Sequence, residues 1–471
     1  MSFRIEHDLL GEYKVPAEAL YGVHTARSIE NFPLTKRYVH PAWIHAMGDV
    51  KHACAKTSRA HGAWKEDPQK ADAIEAACIE FAQGKLDHAV VVDPLQGGAG
   101  TSLNMNTNEV IANRALEILG LEHGDYARIS PLDDINYQQS TNDVCPTACK
   151  IAITRQIDLF LPHLQSLERA LRQQAHALAD VVKVGRTQYQ DAVLTTLGFE
   201  FKAYAEALTR DIARISQAKT ALLKVNLGGT AIGTSVSASH EYVKNVVQEL
   251  ANITKLDVTQ NADLIDGTQN LDDFAYVSGL LKTLAASLLK MSTDLRFMSS
   301  GPQAGISEIA LPARQAGSSI MPGKVNPVIP EAMTQVCFTV IGHDTSITYA
   351  VSQGNLELNP FLPLIADCIL NDLDLLANAC DMMTTHCIQG IRPNLEKCHQ
   401  GVASSTALIT AMVSRIGYDH ACQIGIDALA EGKSIREKLL ELHLMNPDEI
   451  DALTSANVVR STMVDADRQK H

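Results

Sequence analysis

Four short segments, rich in small and polar residues, interrupt the apolar helical patterns of this chain and offer side chains suited to binding an anion. The first is Gly317-Ser-Ser-Ile-Met-Pro-Gly-Lys-Val-Asn-Pro327. Tandem hydroxyls at Ser318 and Ser319 lie between Gly317 and Gly323, whose backbone freedom permits movement, and Lys324 and Asn326 follow. Asn326 and Pro327 predict a helix cap and a first-turn proline. A serine-rich lid that carries a lysine to a helix start would clamp an anion; a solvated mobile loop is the competing reading.

In residues 97–109, Gly97, Gly98 and Gly100 let the backbone approach a ligand, while Thr101, Asn104, Asn106 and Asn108 offer neutral hydrogen bonds. A glycine-rich turn or a capped helix start explains the same residues. Neither this segment nor Gly228-Gly-Thr-Ala-Ile-Gly233 fits the GxGxxG dinucleotide pattern. Ser140, Thr141, Asn142 and Asp143, followed by Pro146, predict a helix start with a proline in its first turn. The N–H groups and partial positive charge at such a start suit a carboxylate as well as a cap. The fourth segment, residues 185–191 with Thr187 and Gln188, reads as a polar loop before a long helix. No nucleophile elbow, HExxH or Walker motif occurs, and His40 and His45 are expected at the surface or in packing rather than as ligands.

The elements that must position these segments are helices. Ile153, Ile157, Leu161, Leu164, Leu167, Leu171 and Leu178 recur at helical steps, and Pro162 is expected to kink this helix rather than end it. Val277 to Leu295 form a second stripe, and Met333, Val336, Val340 and Ile347 a third; further helical stretches cover about 199–225, 237–252 and 361–389. No sustained strand alternation is found between 141 and 390. The implied architecture is a bundle of long helices, apolar on more than one face and therefore buried between subunits. Residues 1–140 read as short helices and polar loops, 141–395 as the long-helix domain carrying a lid at 317–323, and 396–471 as a small helical domain.

Forty basic and 54 acidic side chains leave a net charge of −14, which argues against nucleic acid as a partner and requires an anionic substrate to be attracted locally. No apolar leader or membrane-length apolar run is present, and ten dispersed cysteines without a CxxC pair read as reduced core thiols rather than zinc ligands. A cytoplasmic protein is expected.

Together the segments resemble the aspartase/fumarase superfamily. The similarity begins at Val15-Pro-Ala-Glu-Ala-Leu-Tyr-Gly-Val-His-Thr25 and includes the superfamily signature at 317–327. Within the superfamily, Gln96-Gly-Gly-Ala-Gly-Thr-Ser102, Ser140-Thr-Asn-Asp143 and Leu311-Pro-Ala-Arg-Gln-Ala316 look like the aspartate ammonia-lyase form rather than the class II fumarase form, and Gln188 stands where fumarases generally place histidine.

The resemblance implies an all-α, three-domain fold whose central helices form a twenty-helix core in a homotetramer, with each active site shared among three subunits. It implies a small dicarboxylate substrate, no cofactor and no metal, and reversible deamination of L-aspartate through an aci-carboxylate. In that scheme Ser318 is the base. Thr101, Ser140, Thr141 and Ser319 hold the reacting carboxylate, Thr187, Lys324 and Asn326 hold the other, and Asn142 contacts the amino group. Gln188 belongs to the substrate site without an assigned proton-transfer role. Competing implications are a fumarase, a lyase for a related amino dicarboxylate, and a non-enzymatic protein of the same fold. Leu194, Phe199, Gln303 and Ser307 depart from the family pattern. Leu194 and Phe199 are expected on the helix after Thr187, either as simple repacking or as a change of substrate.

Overall fold

The computed structural model describes residues 2–461, so residues 462–471, the end of the expected C-terminal domain, lie outside the described residues. An antiparallel hairpin, β1 (Phe3–Asp8) and β2 (Gly11–Pro16), opens the chain, with Phe3 opposite Pro16 and Asp8 opposite Gly11. Helices α1 (Val23–Asn31), α2 (Pro41–Ala60), α3 (Pro68–Ala82), α4 (Thr101–Ile118) and α5 (Thr141–Ala177) follow. A second antiparallel hairpin, β3 (Val182–Thr187) and β4 (Gln190–Thr196), leads into α6 (Leu197–Leu222). Next come β5 (Lys224–Val225), α7 (His240–Thr254), β6 (Thr259–Gln260, parallel to β5), α8 (Leu264–Gln269) and α9 (Asp272–Met298). Then β7 (Ile309–Ala310), α10 (Val328–Ser352), α11 (Leu362–His386) and β8 (Arg392–Pro393, antiparallel to β7) lead to six shorter helices. These are α12 (Leu395–Ser404), α13 (Ala407–Ile416), α14 (Tyr418–Glu431), α15 (Ile435–Glu441), α16 (Pro447–Leu453) and α17 (Ala456–Ser461).

The fold is mainly helical, as the periodicity predicts. Two expectations need correction. Residues 141–390 do contain a clear hairpin, β3–β4, whose polar face hides its alternation. The N-terminal region holds helices of 20, 15 and 18 residues as well as a hairpin, not only short helices and loops. Helix α5 runs unbroken through Pro162 for 37 residues. The lost backbone hydrogen bond is tolerated because Phe160, Leu164 and Leu167 on the same helix are fully buried.

The chain forms two compact units. One comprises Met1–Leu161, Ala213–Thr283 and Thr339–Leu376; the other comprises Pro162–Ile212, Leu284–Phe338 and Ala377–His471. Their boundaries fall inside α5, α6, α9, α10 and α11. In the first unit Trp43, Met47, Ile74, Phe81, Leu103, Ile111 and Tyr242 are buried, each large apolar side chain contributing about 1.5–3 kcal/mol of burial. Trp43 also donates its indole N–H to the Cys145 carbonyl at 3.2 Å, tying α2 to α5. In the second unit, Leu408, Met412, Ala428, Ile435, Leu439, Met445 and Ile450 close a small core around α13 to α16. Helices α15 and α16 begin with capping boxes, Ser434 with Glu437 and Asn446 with Glu449. Nine cysteines are buried, Cys422 is exposed, and all ten are free thiols.

Helices α2 and α3 approach so closely that a Cβ on Gly48 would lie 2.4 Å from the Ala82 backbone nitrogen. Gly48→Ala would gain about 1 kcal/mol of helix propensity. It would also force two backbones apart, an overpacking cost at the upper end of about 1–3 kcal/mol. The expected result is a lower urea midpoint; an unchanged or higher midpoint would contradict this packing.

Candidate active site

In the first unit the starts of α4 and α5 converge. Gly100, the N-cap of α4, adopts φ 97° and a Cβ there would meet Cys145 Sγ at 3.2 Å and Thr141 Cγ2 at 4.0 Å. Glycine is needed here both for its left-handed backbone and for this contact. Thr101 opens α4 and is exposed, its hydroxyl donating to the Gly98 carbonyl at 2.6 Å. Leu103 N–H, in the first turn, is capped by Gln96 Oε1 at 2.8 Å.

Ser140, Thr141 and Asn142 stand half-buried at the start of α5. Ser140 Oγ accepts from Asn142 N–H at 3.2 Å, and Asp143 Oδ1 accepts from Ser140 N–H at 2.9 Å, a reciprocal cap. Asp143 is fully buried, and its other oxygen accepts from Gly228 and Thr230 N–H, each at 3.1 Å. Burial pushes its carboxyl up to about 6 against these stabilising N–H groups. Pro146 falls in the second helical turn, not the first as expected. It cannot bond to the Asn142 carbonyl, and Asn226 Nδ2 takes that place at 2.9 Å. Asn142 donates Nδ2 to the Ala231 carbonyl at 2.8 Å, which leaves Oδ1 able to accept.

Behind this surface lies a buried polar network that sequence reasoning missed. Asn104 Nδ2 donates to Thr141 Oγ1 at 3.0 Å and to Asn136 Oδ1 at 3.1 Å. Asn108 Nδ2 and Lys51 Nζ donate to the same Asn136 oxygen at 3.2 and 3.1 Å, and Lys51 also reaches Gln139 Oε1 at 2.8 Å. Burial of the Lys51 ammonium pushes its pKa down to about 8. A lone lysine within the apolar face of α2 gives no sequence signal for this role.

In the second unit, residues 317–327 form a loop closed at its base. Gly317 N–H donates to the Lys324 carbonyl at 2.8 Å, and Asn326 Nδ2 donates to the Gly317 carbonyl at 2.9 Å. Asn326 is therefore a clasp on the loop and not the expected helix cap; α10 starts at Val328, with the Pro327 carbonyl accepting from Glu331. A Cβ on Gly317 would sit 2.4 Å from the Lys324 oxygen, so this closure requires glycine. Ser318 Oγ accepts from Ile320 and Met321 N–H at 3.2 and 3.1 Å. Ser319 and Lys324 are exposed. Lys324, Asn326, Arg296 and the departing residue Ser307 line one cavity of about 530 Å³.

Thr187 and Gln188 lie at the tip of β3–β4, where the expected loop is a two-residue turn with Gln188 at φ 54° and Tyr189 at φ 62°. Both positive angles match the tight turn whose twist suits a hairpin. Leu194 belongs to β4, opposite Val184, and not to the following helix; Phe199 does lie on α6. The hairpin root is anchored by charge. Lys183 Nζ reaches Glu200 at 2.7 Å and Glu308 at 2.9 Å, while Arg186 reaches Glu308 at 2.8 Å. Lys183 and Glu308 are each 2% exposed, while Arg186 and Glu200 reach partly into solvent. His40 and His45 pair with Asp374 and Asp87, consistent with packing roles. Among the described residues no group of three or more His, Cys, Asp or Glu side chains is arranged to hold a metal, and no helix is long and apolar enough to cross a membrane.

Removing the shared carboxylate should expose how much the hairpin depends on it. Glu308→Ala leaves Arg186 without its buried partner and Lys183 with only Glu200, and should destabilise the protein by about 3 kcal/mol. A urea midpoint equal to that of the unmodified protein would contradict this anchoring.

Known proteins place this arrangement in context. A family model described as lyase matches residues 11–342, and one described as the fumarase C C-terminus matches residues 408–459. An aspartate ammonia-lyase of Pseudomonas aeruginosa is 45% identical over 467 residues, covering 98% of each chain. One from Bacillus subtilis is 42% identical over 451 residues, covering 96% of this chain and 94% of its own. Among solved structures, a fumarate lyase:delta crystallin from Brucella melitensis bound to cobalt superposes with a TM-score of 0.93 at 42% identity, over 98% of this chain and all of that one. A recombinant class II fumarase from Schistosoma mansoni gives 0.91 at 32% identity, over 97% and 98% of the two chains. The chain belongs to the aspartase/fumarase superfamily, within its aspartate ammonia-lyase branch.

Proposed function

We propose that this protein is a carbon–nitrogen lyase that reversibly converts L-aspartate to fumarate and ammonia. The observation that carries the reading is the environment of Ser318, whose Oγ receives two backbone N–H groups from its own loop. Such donors favour the oxyanion of a serine and so suit it to act as a base. Ser318 takes a proton from the carbon next to the side-chain carboxylate. The electron pair passes into that carboxylate, giving a dianionic aci-carboxylate, and returns as the C–N bond breaks and ammonia leaves.

The carbon acid is weak, so the developing charge needs preorganised donors. Ser140 and Thr141 at the start of α5, together with Ser319, supply hydroxyls to it, and Thr101 at the start of α4 joins them when its hydroxyl turns away from the Gly98 carbonyl. Lys324, Asn326 and Thr187 anchor the second carboxylate. The unused Asn142 Oδ1 suits the N–H groups of the amine. Gln188 completes the substrate surface beside Thr187, and Leu194, facing Val184 across the hairpin, fits a packing role.

The site draws on segments from three subunits of a homotetramer whose central helices form a twenty-helix core. Exposed apolar side chains on those helices support this assembly, among them Leu159 on α5, Tyr276 on α9, and Phe338 and Tyr349 on α10. The partition into 1–140, 141–395 and 396–471 and a cytoplasmic location belong to the same proposal.

Incubation with fumarate plus ammonia, and separately with fumarate in water, distinguishes the two chemistries of the superfamily. Aspartate should form in the first and malate should be absent from the second; malate formation alone would make the protein a hydratase. Ser318→Ala should remain an assembled protein with kcat lowered about 10³–10⁴-fold. Near-normal turnover would remove Ser318 as the base. Lys324→Ala should raise KM by about 10–150-fold, the worth of one charge-assisted contact; an unchanged KM would contradict its anchoring role.

A further inference from the structure

Lys51 is a buried cation of the first unit that the proposed chemistry leaves unused. It lies on α2 at 1% exposure and, unlike the buried Lys150, which pairs with Asp273, it has no carboxylate partner among the described residues. Its acceptors are two neutral amide oxygens whose orientation is fixed from behind. Gln139 commits its N–H groups to the carbonyls of Ile135 and Tyr137, and Asn136 donates to the Gln139 carbonyl. Both amides therefore turn oxygen toward Lys51. With its oxygen fixed, Asn136 can only accept from Asn104 and Asn108, so both present Nδ2 to it. The direction is imposed, because the buried Oδ1 atoms of Asn104 and Asn108 are left with no hydrogen-bond partner. Asn104 then donates to Thr141 Oγ1, and a hydroxyl whose oxygen already accepts is turned to donate its own hydrogen outward.

We infer that Lys51 is a positioning residue that, through Asn136 and Asn104, aims the Thr141 hydroxyl as a donor toward the substrate carboxylate and keeps this part of the site electropositive. The inference rests on the reading of Thr141 as a carboxylate contact. Other titratable groups face Lys51: Asp143 and Cys145 on α5, Cys54 on α2 and Cys78 on α3. Burial raises all three thiols far above their ordinary range, so they stay neutral, and Asp143 is an anion above about 6. Lys51 is thus the group of this set that changes charge near pH 8, being cationic below and neutral above.

The test uses the full-length protein with Lys51→Met, Asn104→Leu and the double variant. Lys51→Met should lower kcat/KM for L-aspartate about 100-fold, mainly through kcat, as expected for loss of one oriented donor. The wild-type rate should decline as pH rises through about 8, and this decline should be absent from Lys51→Met. Asn104→Leu, which breaks the relay with Lys51 still in place, should show a similar loss, and the double variant little more than either alone. Wild-type kcat/KM in either single variant, or multiplying losses in the double, would overturn the inference; should Lys51→Met fail to fold, Asn104→Leu alone decides. If the wild-type protein does not act on aspartate, that failure belongs to the proposed function. The positioning role is then read from fumarate affinity by calorimetry, expected to weaken about tenfold in both variants and overturned if unchanged.

Discussion

The first half of the site depends on one buried carboxylate. Asp143 is fully enclosed and accepts N–H groups from Ser140, Gly228 and Thr230. Its bonds hold the first turn of α5 against the loop that follows β5, and thereby fix where Ser140, Thr141 and Asn142 project. A buried charge is costly unless satisfied, and the raised carboxyl pKa records that cost. The neighbouring bond from Asn226 to the Asn142 carbonyl repairs the gap opened by Pro146, so the same loop both orients the helix start and completes it.

A common logic runs through the other parts of the site. Each exposed polar side chain rests on backbone whose geometry is fixed by something buried or sterically narrow. Gly100 allows α4 to begin against Cys145, and Gly317 allows the loop bearing Ser318 to close on the Lys324 carbonyl. The Lys183–Glu308–Arg186 cluster holds the root of the hairpin that presents Thr187 and Gln188. In the proposed site neutral hydroxyls and amides make most of the substrate contacts, which suits a reaction whose additional charge develops on the way to the aci-carboxylate. The exposed cation of that site is Lys324, at the loop, and the titrating Lys51 stands behind the hydroxyls rather than among them.

Much of this was legible in the sequence, and the reasons differ by element. The long helices were readable because α5, α9 and α10 repeat apolar residues at helical steps over many turns. The polar segments were readable as interruptions, and their combination matched one superfamily. The β3–β4 hairpin was misread because Arg186 to Asp191 is polar and its turn, Gln188-Tyr189, carries neither Gly nor Asn; tertiary anchoring by Glu308 overrides the weak local preference. Asn326 was misassigned as a cap because local sequence cannot show a side chain reaching back to residue 317. Lys51, Asn104 and Asn136 come from three separated stretches, and only their convergence in space marks them as one network.

In the proposed reaction ammonia, not water, is the leaving group. Following the ultraviolet absorbance of fumarate when the protein is given L-aspartate and, in parallel, L-malate distinguishes the two leaving groups. Absorbance should rise with aspartate and stay flat with malate. A rise with malate and none with aspartate would contradict the proposed reaction.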